Sequence, residues 1–451
     1  MPLHRLLLPV FALTLLAAPI QAQPSATPAD PAPSGLGDAL ARAQAAYGAR
    51  DWPALREALT AAEAFSPAHP LVLFHLARAE ALTGNADAAV RRLQRLAAAG
   101  GSVRDVAADS AFIPLRDRAD FAAVLPRLRE AAAPIVAGDT AFVLADPDFI
   151  PEGIAHDARG DAFFVGSLHR GQILRVAHDG AATVFAADAA GATDGRRGQV
   201  LGLRVDPARN VLWAATLVVD TAAPRFRRGP GGRAALRAFD LASGRLVASY
   251  APPDSASPHL LNDIALAPNG DLYVTDSEGD ALHRLPNGGQ ALERVHGGSP
   301  RFIYPNGVAV DAARGRIYVA HMEGIAAFAL ADGQAPPAPL TTPGVATTGI
   351  DGLYPCGGGL LGIQSLLDAQ QVTRLALDAG GAAATAATAL ERRHPAHQIA
   401  TTGVIVGDAL FYIAGSQLAR LQPDGSVRPA EGPPTSSVVL RLPLNGVCGG
   451  G

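Results

Sequence analysis

The chain has 451 residues and a formal net charge of −4, with both signs spread along its length, so it offers no basic stripe for nucleic acid or anionic lipid. Only two cysteines occur, Cys356 and Cys448, which excludes a small disulfide-built scaffold and requires a packed core. Whether the two pair is open at this level, because Cys448 lies in a Gly-rich tail. The length suits two folded parts rather than one ordinary core.

Residues 1–22 carry His4 and Arg5, then an apolar run from Leu6 to Leu16, then small residues up to Ala22. That order reads as a secretory signal peptide, so the mature chain is expected in the periplasm or outside the cell. The run is about eleven residues, short of the roughly twenty that span a bilayer, and no other apolar stretch is long enough. No membrane contact is therefore expected after the signal is removed. Residues 23–35 are rich in Pro, Ala and Ser and read as a disordered linker, since they bury too little apolar surface to fold.

Residues 36–135 are rich in Ala, Leu and Arg at helical spacing, with Trp52-Pro53 at one helix start and Pro67 and Pro70 separating two helix pairs. Leu76, Ala77, Gly84 and Ala89 resemble the small-and-large pattern of a tetratricopeptide unit, although its aromatic positions are poorly kept. A tetratricopeptide-like helical segment is expected, with a protein partner docked on its repeats. A plain helical hairpin is the alternative.

From residue 139 to 445 the pattern changes to short β-branched and aromatic runs broken by Gly, Asp, Pro and Asn. One phrase recurs: an apolar strand beginning near Gly153, Gly202, Asp263, Gly307, Gly352 and Gly403, a tight turn such as Pro268-Asn269-Gly270-Asp271, and a second apolar strand. Further strands follow each hairpin, about four per unit at roughly 45–60-residue intervals, which is propeller-blade spacing. The expected architecture is mainly β: a six-bladed β-propeller preceded by a small α-helical segment, and followed by a flexible tail over 446–451. Closure uses Ala141 to Ala145 or Val438 to Leu444 as an outer strand of the last blade. The cluster Arg225, Arg227, Arg228 and Arg233 reads as a solvated loop between strands.

In a propeller the innermost strand of every blade starts at the same end of the channel, so the residues just before those strands converge on the axis. Here they are Glu152, Leu201, Asn262, Asn306, Asp351 and Thr402. Four are carboxylates or amides and none is His or Cys, which is the ligand chemistry of a hard cation. Glu152, Asn262, Asn306 and Asp351 are the expected metal ligands. The cation is expected to be calcium first, with manganese, magnesium or zinc as alternatives and zinc disfavoured by the donor set. His259, three residues before Asn262, is a candidate for proton transfer, with His169 and His397 behind it. Thr401, Thr402 and Gln364 are candidates for lining the channel.

These same residues carry a family resemblance. Pro151-Glu152-Gly153, Asn262-Asp263, Pro305-Asn306-Gly307 and Asp351-Gly352 resemble, in order and blade position, the metal-site motifs of the gluconolactonase, senescence-marker-protein (regucalcin) and luciferin-regenerating-enzyme group. Paraoxonases are similar in layout, and Leu261-Asn262-Asp263-Ile264 matches them nearly as well. The resemblance implies a divalent cation, most often calcium, and hydrolysis of a small lactone or related ester. It makes Glu152, Asn306 and Asp351 direct ligands, places Asn262 on the metal or on bound substrate and water, and makes Asp351 the first candidate base. Leu260 stands where sugar-lactone members tend to have arginine, and Leu201 where paraoxonase-like sites have histidine, so the mouth is less polar than in either. A non-catalytic exported scaffold with a structural cation is the rival reading, and a strictosidine-synthase-type propeller is a weaker third.

Overall fold

The computed structural model describes residues 32–100, 106–192, 196–219, 232–254, 257–330, 337–342, 344–365, 370–422, 426–430 and 436–449. The predicted signal peptide, the linker up to residue 31, Arg225, Arg227 and Arg228 of the basic cluster, and residues 450–451 of the tail lie outside them.

The helical part begins with α1 (Leu36–Ala49), α2 (Trp52–Phe65), α3 (Pro70–Leu82) and α4 (Ala86–Ala98), followed by a 3-10 turn (Ser110–Leu115) and α5 (Ala119–Ala132). The Asp51 side chain accepts from Ala54 N at 3.0 Å at the start of α2, and Pro53 and Pro70 occupy first-turn positions where no amide donor is needed. Helix α4 buries Ala89, Val90, Leu93 and Leu96 on one stripe, whereas α3, packed between its neighbours, buries residues around most of its circumference. Among the described residues no helix is long and apolar enough to cross a membrane.

The remainder forms six four-stranded antiparallel sheets, the blades of a propeller. Blade one is β2 (Pro151–Asp157), β3 (Ala162–Ser167), β4 (Ile173–Val176) and β5 (Ala182–Ala186), numbered from the centre outward. The innermost strands of blades two to six are β6 (Arg197–Asp206), β10 (Leu261–Leu266), β14 (Val308–Asp311), β18 (Ile350–Cys356) and β22 (Gly403–Val406). Hairpin turns fall where the sequence placed them: Gly270, at φ 87°, closes the turn in which Gly270 N bonds Ala267 O at 2.9 Å. The core lies between blades, as where Trp213 and Leu236 pack against Ile264 and Val274.

Both candidate closing segments are used. β24 (Val438–Pro443) is the third strand of blade six, and β1 (Asp139–Val143), from the far end of the propeller sequence, pairs with it as the outermost strand. Cys356 and Cys448 are disulfide-bonded, and Gly446 N bonds the Asp408 carboxylate at 3.0 Å. The start of the segment expected as a flexible tail is thus pinned to blades five and six.

The helical part docks on blades four and five. Leu36 N donates to Glu323 Oε1 at 3.0 Å, Arg301 bridges Glu323 and the Phe65 ring, and Ile135 and Arg392 exchange backbone bonds at 2.9 Å. Glu323 and Arg392 lie at the end of their blades where the innermost strands start, by the pairing of each strand with the next.

Glycine decides how closely the blades approach. A Cβ on Gly153 would stand 2.0 Å from Leu201 O, one on Gly202 2.3 Å from Asn262 O, and one on Gly307 2.4 Å from Asp351 O. Each of these obstructing atoms is backbone in the next blade's innermost strand and cannot rotate away. Gly153→Ala is therefore expected to cost about 1–3 kcal/mol or more, measured as a drop in the urea midpoint at unchanged slope.

Candidate metal centre

Each of four innermost strands carries a register break at the residue pair that faces the axis. The breaks fall between Pro151 and Ile154, Val200 and Leu203, Leu261 and Ile264, and Ile350 and Leu353. A bulge places two residues opposite one and re-aims a side chain out of the pleat. Glu152, Leu201, Asn262 and Asp351 owe their direction to it.

The backbones at these positions are fixed by neighbouring blades. Thr401 and Thr402 Oγ1 both donate to Glu152 O, at 2.9 and 2.6 Å. Thr275 Oγ1 donates to Asn306 O at 2.7 Å. The two threonines therefore spend their hydroxyls on a carbonyl rather than offering them to the channel. Gln364 is also structural, its amide held by Ala346 O, Thr348 O, Gln371 and Thr373.

The side chains are held so that oxygens are left over. Asn262 Nδ2 donates to Ser277 Oγ at 3.0 Å, and Ser277 Oγ donates to Pro305 O at 2.6 Å, which leaves Asn262 Oδ1 buried without a partner. The Asn306 side chain lies beside the Asp351 carboxylate and helps to hold its pKa down, and Asn306 Oδ1 is likewise buried and unpartnered. Glu152 Oε2 is the third such atom. Asp351 also accepts from Ser365 Oγ at 3.3 Å.

Burial pushes the Glu152 carboxyl well above the usual carboxylate range, and the nearby Asp351 and Asp263 add to it. Burial and Asp263 likewise push Asp351 up to about 7, partly offset by Asn306 and Ser365. The charged groups acting on these two carboxyls are all carboxylates. Asp263 is different: its oxygens accept from Ile264 N at 2.8 Å and Val308 N at 3.1 Å, so it fastens blade three to blade four. Two buried acids with two amide oxygens, three of these oxygens orphaned, form a donor set that fits a hard divalent cation, because an unpaired buried carboxylate is costly and a cation removes that cost.

His259 stands in a different arrangement from the one expected. Its Nδ1 bonds Asp276 and its Nε2 bonds the Asp254 carbonyl. Both partners are acceptors, so the ring donates twice and is an imidazolium without a lone pair for general-base work. Burial pulls its pKa down, but the bonds to Asp276 and Asp254 outweigh this and leave it raised. Asp276, despite burial, is held well below the usual carboxylate range by His259 and by His283 at 3.1 Å. The network braces the chain leading to Asn262, since Asp276 Oδ1 also accepts from Leu260 N at 2.9 Å. His397 bonds Tyr412 at 2.9 Å and is pulled down to about 4 by burial.

Sequence reasoning missed Thr275, Asp276 and Ser277. The available signal was three consecutive polar residues closing β11 (Leu272–Asp276), all fully buried in the structure.

No family model matches the sequence, and no curated protein matches it. Several solved propellers are similar in structure at low identity. A gluconolactonase from Xanthomonas campestris is 18% identical with a TM-score of 0.44, covering 69% of this chain and 97% of its own. A PQQ-bound aldose sugar dehydrogenase from Streptomyces coelicolor is 17% identical at 0.44, covering 69% and 99%. A calcium-binding regucalcin from Agrobacterium tumefaciens is 15% identical at 0.44, covering 69% and 94%. At such identities the likeness concerns the fold and assigns no activity.

Proposed function

We propose that the protein is a hydrolase of lactones or related esters that depends on one divalent cation, calcium first, held by Glu152, Asn262, Asn306 and Asp351. The observation that carries this reading is the set of three orphaned, buried oxygens, Glu152 Oε2, Asn262 Oδ1 and Asn306 Oδ1, set beside two acids with no cationic neighbour acting on them. When bound, the cation supplies polarisation of a carbonyl oxygen and a lowered pKa for water.

The chain's own residues supply the rest. Glu152 and Asp351 provide two negative charges, the Ser277 bond aims the Asn262 oxygen, and Thr275 fixes the Asn306 backbone. Asp351 is the group assigned to take a proton from water beside the cation, as a buried carboxylate held in place by Ser365; a water outside the metal's own ligands is the alternative acceptor while Asp351 is coordinated. His259 is left out of the chemistry by its two acceptor bonds. Leu201 and Leu260, packed in the apolar core between blades, put no polar side chain at the mouth, which favours substrates with apolar parts. The helical part, docked at the same end of the blades, belongs to the surroundings of the mouth. The protein works in the periplasm or outside the cell by this reading, through the signal over residues 1–22.

The test is metal content and hydrolysis of a lactone and aryl-ester panel, before and after chelation. One equivalent of calcium is expected, with activity lost on chelation and regained with calcium or manganese. A fully metallated sample that hydrolyses no member of the panel would overturn the reading.

A further inference from the structure

At the end of blade one opposite the axial residues, three side chains converge. His156 is near the end of β2, Asp161 lies in the β2–β3 turn, and His178 lies in the β4–β5 turn. His178 Nε2 is 2.9 Å from Asp161 Oδ1, and His156 Nε2 is 3.3 Å from the same oxygen. The ligand atoms of all three lie within 4.8 Å of one another.

The His156 side chain is only 6% exposed, and its buried Nε2 makes no well-aligned hydrogen bond, Asp161 Oδ1 being the acceptor beside it. The two rings are held from behind. Phe163 packs at 4.8 Å from His156 and 5.0 Å from His178, and Phe411 of blade six packs at 6.2 Å from His178. Asp161 adopts a left-handed backbone at φ 43° that turns its carboxylate toward them.

We propose that His156, Asp161 and His178 form a second metal site, for a borderline divalent transition metal such as zinc, at the face of the propeller away from the axial centre. Two imidazole nitrogens and a carboxylate oxygen are ligand chemistry for zinc, copper or nickel rather than calcium. Bonds of about 2.0–2.1 Å in a tetrahedral site set ligand atoms about 3.3 Å apart, close to the two histidine–Asp161 separations of 2.9 and 3.3 Å. Burial holds the His156 pKa down, favouring the neutral ring that ligates. The His259, Asp276 and His283 group has the same composition, but its Asp276 and both nitrogens of His259 are already committed to hydrogen bonds within the fold. A metal bound at blade one would tie the two turns of that blade together and leave a position open to water.

Stripped full-length protein is titrated with cobalt(II) in excess calcium, which keeps the axial centre filled. One equivalent with the strong visible absorption of a four-coordinate ion is expected. His156→Ala and His178→Ala are each expected to weaken binding by at least about tenfold, and Glu152→Gln to leave it unchanged. Circular dichroism checks that the variants fold, and His178, at 45% exposed, is the safer of the two. Undiminished cobalt binding in folded His178→Ala, or no such absorption in the parent protein, overturns the proposal.

Discussion

Asp351→Asn and Glu152→Gln are expected to abolish stoichiometric calcium binding and to lower kcat/KM for the best substrate by on the order of 10³-fold or more. A bound metal supplies several kcal/mol of transition-state stabilisation, and each 1.4 kcal/mol is a factor of about ten. The same variants should make the chelated protein more stable at pH 8, by on the order of a few kcal/mol. The parent buries carboxyls that resist ionisation at 5% and 7% exposure, and the amides carry no charge to bury. Loss of activity with loss of stability would indicate that these residues serve the fold instead. Denaturant titration beside isothermal calorimetry separates the two outcomes.

The second large effect is a dependence of calcium stabilisation on pH. Asp351 has a folded-state pKa of about 7 against an ordinary value of 3.8, and Glu152 is shifted in the same direction. Between about pH 4 and pH 7 the folded, metal-free protein therefore binds more protons than the unfolded chain. The contribution of Asp351 falls as pH rises through that window, and Glu152, raised in the same direction, acts in the same sense. Calcium removes the penalty, so the rise in Tm on adding calcium should be larger at pH 8 than at pH 5, and apparent affinity should fall about tenfold per pH unit below 7 for each proton displaced. His69, His75 and His321, pulled by burial to about 4, 3 and 4, act in the opposite sense: their contribution is lost as pH falls below 6.5. They lie outside the axial centre and act with or without metal, so they cancel in the difference. A calcium increment that is equal at both pH values would refute the assignment of Glu152 and Asp351.

The hairpin repeat and the axial positions were legible because local chemistry enforces them. The turn glycines require backbone that other residues resist, and the glycines after Glu152, Leu201 and Asn306 leave a periodic mark of close blade approach. What stayed illegible depends on meetings between distant segments. Two apolar segments competed for the outer strand of blade six, and nothing local says that both belong there in the order β24 then β1. The Cys356 to Cys448 pairing and the docking of Gly446 on Asp408 likewise need the folded ring. The expectation for His259 rested on its place in the sequence, while its protonation is decided by Asp276, seventeen residues on and across a strand pair.

The pairing of β1 with β24 joins the two extremes of the propeller sequence in one ladder, Asp139 opposite Arg441 and Val143 opposite Val438. As the chain emerges during synthesis, β1 is made before any blade, yet its partner is made after all the others. The early strand must wait with an open edge while five blades assemble. Ring closure is thus a late, long-range step whose entropy cost is met only when the chain is nearly complete. Because β1 begins and β24 ends at the same end of this antiparallel ladder, a force that separates those two ends opens it rung by rung rather than in shear, and loss of either strand opens the same seam.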